Sequence, residues 1–181
     1  FPDATSKHIW LVMFYTSMNS ENVQEAASQL KLLAEKSPFK VGAVDCEHPR
    51  ESQFCQQTLG PGKMNGGALL LFAMVIDGEL LHYDETTTVP TAKALYEFAS
   101  DSMPQSLIVG INHVNQVEER LLSKKAGAIL LLTDKYETSN LYYCLSYQFR
   151  DSLIFGESRA KNLGLAKEFH VKKYPLLVAL V

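Results

Sequence analysis

The chain has 181 residues, 46% hydrophobic and 20% charged, and 17 Lys and Arg against 20 Asp and Glu leave a net charge of −3. That composition is ordinary for a globular protein. It offers no basic surplus for nucleic acid or an anionic membrane, and the length allows one large domain or two small ones. The longest apolar run, ALLLFAMVI at residues 68–76, is far short of the ~20 residues a bilayer crossing needs, so it is read as a buried strand. No Asn-x-Ser/Thr acceptor occurs. The chain opens FPDATSKH, without a start methionine or a signal-peptide pattern, and is expected to be a processed or excised piece.

Residues 8–15, HIWLVMFY, form a β-branched and aromatic run and predict a buried strand. TSMNSEN follows, rich in helix-capping residues. Val23, Ala26, Ala27, Leu30, Leu33 and Ala34 then recur at three-four spacing, one apolar helix face ending near Glu35. Ser37-Pro38 stops that helix, and KVGAVD at 40–45 reads as a second strand. A short helix is expected over 50–57 and a loop over 59–67, LGPGKMNGG. The strand at 68–76 turns back at Asp77-Gly78, a strong two-residue hairpin signal, into 79–83. Pro90 is expected to open a helix that turns Leu95, Phe98 and Ala99 inward.

DSMPQS at 101–106 is the best boundary in the chain and divides it into residues 1–103 and 104–181. Beyond it strands are expected at 107–111, 128–133 and 152–155, with LLVALV as a last strand at the end. Helices are marked by Val114, Val117 and Leu121, by Leu141, Leu145 and Phe149 on one face, and by Leu163, Ala166 and Phe169. Strands alternating with helices imply parallel pairing, and the hairpin makes the sheet mixed. The fold class is α/β.

Three cysteines, Cys46, Cys55 and Cys144, are too few for a disulfide scaffold, and the odd count leaves at least one thiol unpaired in a monomer. His8, His48, His82, His113 and His170 show no metal-ligand spacing, with one another or with the cysteines. GPGKMNGG precedes a strand and opens no helix there, so it is no phosphate loop. Glu118-Glu119 is an adjacent helix pair facing different directions. Tyr142, Tyr143, Tyr147 and Phe149 read as packing and helix surface. No cofactor and no metal is implied.

WLVMFYTSMNSEN, then VGAVDC, a cysteine nine residues on, LLLF, DGELLHY and a final helix resemble a thioredoxin domain of the protein disulfide isomerase family. AILLLT, SLIFGE and AKEFHVKKYPLLVAL resemble it a second time. The resemblance implies two tandem thioredoxin-like domains, each a mixed central sheet flanked by helices. Both look incomplete at one end: the first lacks the initial strand and helix, the second its hairpin partner and closing helix.

Thiol–disulfide exchange needs a thiolate at a helix N-terminus and a second thiol to resolve the mixed disulfide. The family pattern puts Asn19 and Asn22 where those cysteines belong, and an amide is neither nucleophile nor redox couple. The residue-level reading of this segment is a helix cap from Ser17, Asn19 or Ser20. The family's cis-proline position becomes Gly66-Gly67-Ala68. In the second unit the loop DKYETSN also lacks cysteine, and Cys144 lies within the helix as a small core residue. Pro175 after Tyr174 matches the family's cis-proline, and it also reads as an ordinary trans proline opening a strand. Cys46 and Cys55 admit three readings: a structural disulfide, which the resemblance favours, two buried free thiols, or a redox-active pair. A bridge implies an oxidising compartment and, with the resemblance, the endoplasmic reticulum lumen.

The resemblance thus implies a redox-inactive module of an endoplasmic-reticulum folding factor, similar to DnaJ–thioredoxin co-chaperones. Its partners would be unfolded clients or other chaperones, with no nucleic acid and no membrane contact. Tyr15, Met18, Gly66-Gly67 and Tyr174 mark the expected client-binding surfaces. The competing readings are an atypical thiol oxidoreductase using Cys46/Cys55 or Cys144, and an architectural spacer or dimerisation unit.

Overall fold

A computed structural model describes residues 1–64, 68–84, 88–122 and 127–181. The chain is α/β with two mixed four-stranded sheets, and its packing separates two compact units, Phe1–Met103 and Pro104–Val181.

The first unit is built around β1 (Trp10–Tyr15), whose middle four residues are buried on both faces. A strand with no wet face must be apolar throughout, which is why WLVMFY has no polar alternation. β2 (Lys40–Asp45) pairs with it in parallel, Phe14 opposite Val44. Parallel pairing needs a crossover, supplied by α1 (Glu21–Ala34). That helix buries Val23, Ala26, Leu30 and Leu33, one apolar stripe at helical spacing, while Ala34 is exposed. Of the three candidate caps Ser20 is used: its Oγ accepts the Val23 N–H at 3.3 Å.

β3 (Leu70–Ile76) lies antiparallel on the other side of β1, and β4 (Glu79–His82) completes the order β2-β1-β3-β4. The hairpin between them has φ of 54° at Asp77 and 80° at Gly78. Both central residues are left-handed, the geometry for which Asp-Gly is selected. A methyl group on Gly78 would meet the Ala4 amide nitrogen at 2.9 Å.

α2 (Pro49–Leu59) is longer than the sequence suggested, with His48 as its cap and Pro49 in its first turn. The expected loop over 59–67 is corrected in part: Pro61–Met64 form a short helix, α3, after Gly60 turns the chain at φ 83°. A proline in a first turn loses no helix bond, so PGKM can coil despite its composition. α4 (Ala92–Asp101) is capped by Thr91, which puts Pro90 just outside the helix. It buries Leu95 and Ala99, with Phe98 half-buried edge-on to Tyr83.

The second unit repeats the arrangement around β6 (Ala128–Thr133). β7 (Ile154–Arg159) pairs with it in parallel and β8 (Leu176–Leu180) antiparallel. β5 (Ile108–Gly110) adds to β7, giving β5-β7-β6-β8. Leu107 closes a short 3-10 turn ahead of β5 and is not part of the strand. The crossovers are a π-helical segment (Val117–Leu122), α5 (Asn140–Gln148) and α6 (Leu163–Glu168). At Gly156 the sheet meets this π-helical segment so closely that a Cβ would lie 2.9 Å from both Leu121 methyl groups.

Three inward assignments fail here. Val114 is 40% exposed, while Val117 and Leu121, expected on the same face, are buried. Leu163 is 76% exposed, while Leu165 fills the core. On α5 the expected face of Leu141, Leu145 and Phe149 is not the buried one: Leu141 and Phe149 are exposed and Leu145 half-buried, whereas Tyr142, Ser146 and Tyr147 are buried. The reason is that a tyrosine buries more surface than a leucine if its hydroxyl finds a partner. The Tyr142 hydroxyl donates to the Gly156 carbonyl at 2.6 Å and lies 3.2 Å from the Ile129 carbonyl, bridging β7 and β6. Its ring stands edge-on to Phe155, and burial pushes its ionisation far above the ordinary tyrosine range. Tyr142→Phe removes this bridge while keeping the ring. It is expected to cost about 1–1.5 kcal/mol of stability in urea unfolding with an unchanged slope.

Candidate functional site

Parallel pairing of β1 and β2 sends the chain from the end of β1 straight into the N-terminus of α1, and the candidate site lies there. Asn19 sits exposed in the turn before the helix, and Asn22 is exposed in its first turn. Two hydrogen bonds draw the segment ahead of β3 alongside. The Thr16 N–H donates to the Leu69 carbonyl at 3.0 Å, and the Leu69 N–H to Thr16 Oγ1 at 2.7 Å. Asn22, Glu25, Ala68, Phe72, Tyr83 and Pro90 therefore line one cleft of about 510 Å³. Among the described residues that line it there is no cysteine. Gly66 and Gly67 lie outside the described residues.

The sulfur is elsewhere. Cys46, just past β2, and Cys55 on α2 are joined by a disulfide with 5.7 Å between Cα atoms. Both residues are buried, at 2% and 0% exposure, within the core of Val12, Phe14, Leu59 and Ala73. Exchange requires an attacking thiolate to reach a sulfur, and this bond is screened from it. Cys144 is free and partly buried, and burial pushes its thiol up to about 11.

Tyr15 lines a second groove of about 860 Å³, on the α2 side, with Phe1, Trp10, Val44 and Phe54. Phe1 packs against Phe54 and Phe14, with ring centroids 4.7 and 5.9 Å apart. Burial and the neighbouring Asp45 raise the ionisation of the Tyr15 hydroxyl above the ordinary tyrosine value. Met18 projects from the turn, 49% exposed. In the second unit the Tyr174–Pro175 peptide is cis, and Tyr174 is half-buried against the core of Leu130, Leu132 and Leu165. Pro175 is exposed.

One polar cluster escaped the sequence reading. Glu157, 7% exposed, accepts from Thr138 Oγ1 and pairs with Arg159, Nη2 to Oε2 3.0 Å. Arg159 also donates to the Lys135 carbonyl at 2.8 Å, so it pins the loop before α5 to the sheet. The signal was present: residues two apart on a strand share a face, and Glu-x-Arg in a buried strand is a paired charge. Among the described residues no group of three or more His, Cys, Asp or Glu could hold a metal ion. No described helix is long and apolar enough to cross a membrane.

No family model matches the chain. A Dictyostelium discoideum protein assigned as a protein disulfide-isomerase is 26% identical over 182 residues, covering 96% of this chain. The DnaJ protein ERDJ3A of Oryza sativa subsp. japonica is 25% identical over 174 residues, covering 93%. The chain spans 41% of the first relative's length and 29% of the second's. Among solved structures, ERdj5 form II matches 97% of the chain with a TM-score of 0.52 at 16% identity, over 23% of its own length. The resemblance read from the sequence motifs therefore stands.

Two outcomes follow for the sulfur. Cys46→Ser with Cys55→Ser opens a loop of sequence separation 9 and is expected to lower unfolding free energy by about 2–3 kcal/mol. The comparison is urea midpoints of the oxidised wild type and the double variant. Iodoacetamide alkylation of native Cys144 is expected to quicken by about tenfold per pH unit from ~7 to ~10, with no plateau near ~8.5 where a free thiol levels off.

Proposed function

We propose, for a chain that is a thioredoxin-fold relative of protein disulfide isomerases and DnaJ proteins, that residues 1–103 and 104–181 are two tandem thioredoxin-like domains. Together they form a redox-inactive module of a folding factor in the endoplasmic reticulum lumen, and they bind unfolded clients. The two sheets support the tandem reading. Each has a central strand with a parallel neighbour reached through a helix and an antiparallel neighbour on its other side.

The observation that carries the functional reading is the occupancy of the cleft at the start of α1. A helix N-terminus there lowers the pKa of a thiol, but Asn22 and Ala68 line the cleft and none of its described lining residues carries a thiol. The bonded pair is held in the core instead. An amide at this position donates and accepts hydrogen bonds without reacting, which suits binding. Tyr15, in a groove of aromatic and aliphatic side chains, and the projecting Met18 supply an apolar surface of the kind unfolded chains seek. The oxidoreductase reading would require Cys46 and Cys55 to leave the core, or Cys144 to react from a raised pKa.

The test has two arms. Insulin reduction by dithiothreitol is expected to proceed at the same rate with and without the protein, and suppression of aggregation of a reduced, unfolded client is expected to occur. Tyr15→Ser with Met18→Ser is expected to weaken client binding by about tenfold. Insulin turnover abolished by Cys55→Ser would overturn the redox-inactive assignment. Failure to retain any unfolded client would overturn the binding assignment in favour of an architectural role.

A further inference from the structure

The two units finish one equivalent strand differently. β2 and β7 each pair in parallel with a central strand, and each has glycine at its third position, Gly42 opposite Val12 and Gly156 opposite Leu130. In the second unit the far edge of β7 is taken by β5. There the Ile111 N–H donates to the Glu157 carbonyl at 2.9 Å, and Val109 lies opposite Gly156. Val109 and Ile111 pack into the core of Leu121 and Leu130. In the first unit β2 is the last strand of its sheet.

The Lys40 and Cys46 N–H groups donate to the Ile9 and Tyr15 carbonyls at 2.9 and 2.8 Å. Successive residues of a strand turn their backbone groups to opposite sides. Gly42 and Val44 therefore face β1, and Val41 and Ala43 face away from it. Among the described residues nothing bonds to the outward N–H and C=O of Val41 and Ala43. Ala43 is the counterpart of Glu157, the residue that β5 engages. Beside this edge runs the groove of about 860 Å³ lined by Trp10, Val44 and Phe54, with Gly42 and Ala43 in its wall. A Cβ at Gly42 would lie 3.7 Å from the Trp10 ring with no closer contact, so the glycine leaves room for a side chain from another segment.

Unpaired backbone groups beside an apolar groove fit an extended polypeptide, whose main chain completes the ladder while every second side chain leaves water. β5 shows the form such a segment takes. Because it runs parallel to β7, the residues that bond the edge, Val109 and Ile111, are also those whose side chains enter the core. We propose that unfolded client segments dock by adding a strand parallel to β2, with apolar side chains at alternate positions seated in the Gly42–Trp10–Phe54 groove. This rests on the client-binding reading above and names the form in which the client is held.

The test is fluorescence anisotropy on the intact protein with labelled peptides of about six residues that alternate Val with Thr. N-methylation of the Val nitrogens is expected to weaken binding at least about tenfold, and of the Thr nitrogens by less than about threefold. These peptides probe the wild-type protein, so the result does not depend on the folding of a variant. Gly42→Val, which fills the groove floor, and Ala43→Pro, which removes an outward N–H and no β1–β2 bond, are each expected to weaken the unmodified peptide about tenfold. Loss on methylating the Thr nitrogens instead marks an antiparallel strand, and equal binding of all three peptides marks no strand pairing; either overturns the proposal. Protection of the Ala43 amide from hydrogen exchange with no peptide present shows an edge already paired, by a second copy or by the protein's own chain, and overturns it as well. If clients are still retained through Tyr15 and Met18 in these cases, the edge assignment alone falls. If no client is retained, the binding reading falls and this inference with it.

Discussion

Everything in each unit depends on one strand with no free edge. β1 is hydrogen-bonded to β2 on one side and β3 on the other, and Leu11 and Phe14 are wholly buried. β6 holds the same position between β7 and β8. Because one neighbour runs parallel, the chain must leave the end of the central strand, cross over a face in a helix and return. That fixes a helix N-terminus at the end of the strand, whatever residues stand there. The cleft at Asn22 is thus a by-product of topology.

This constraint explains what could be read in advance. WLVMFY announces a central strand because burial on both faces permits no polar alternation, and AILLLT is apolar through Leu132 although Ile129 and Leu131 are only half-buried. Asp77-Gly78 announces a hairpin because its two left-handed residues are costly for most other side chains. Val23, Ala26, Leu30 and Leu33 show the buried face of α1 because all are aliphatic. The same logic failed on α5, where hydropathy ranks Leu141 above Tyr142. The decisive fact was a carbonyl on a strand fourteen residues away, able to satisfy a buried hydroxyl. Such a partner is invisible to any local pattern.

The candidate sites divide in the same way. The place of Asn22 at the start of α1 was legible because the helix follows β1 at a fixed offset. The apolar groove at Tyr15 was not, since Phe1, Trp10, Val44 and Phe54 come from four separate stretches of chain. Side chains that act through burial or charge reveal themselves by periodicity only when their partners share an element with them.

The disulfide has a consequence of another kind. Phe54, one wall of the Tyr15 groove, is the immediate neighbour of Cys55, whose bond to Cys46 fastens α2 to the end of β2. Sulfur in this module serves as a rivet. The groove wall is thereby tied to the end of β2 covalently as well as by packing. With both sulfurs reduced, the same polypeptide would hold that wall by packing alone, and the loop between β2 and α2 would regain the freedom the bond removes.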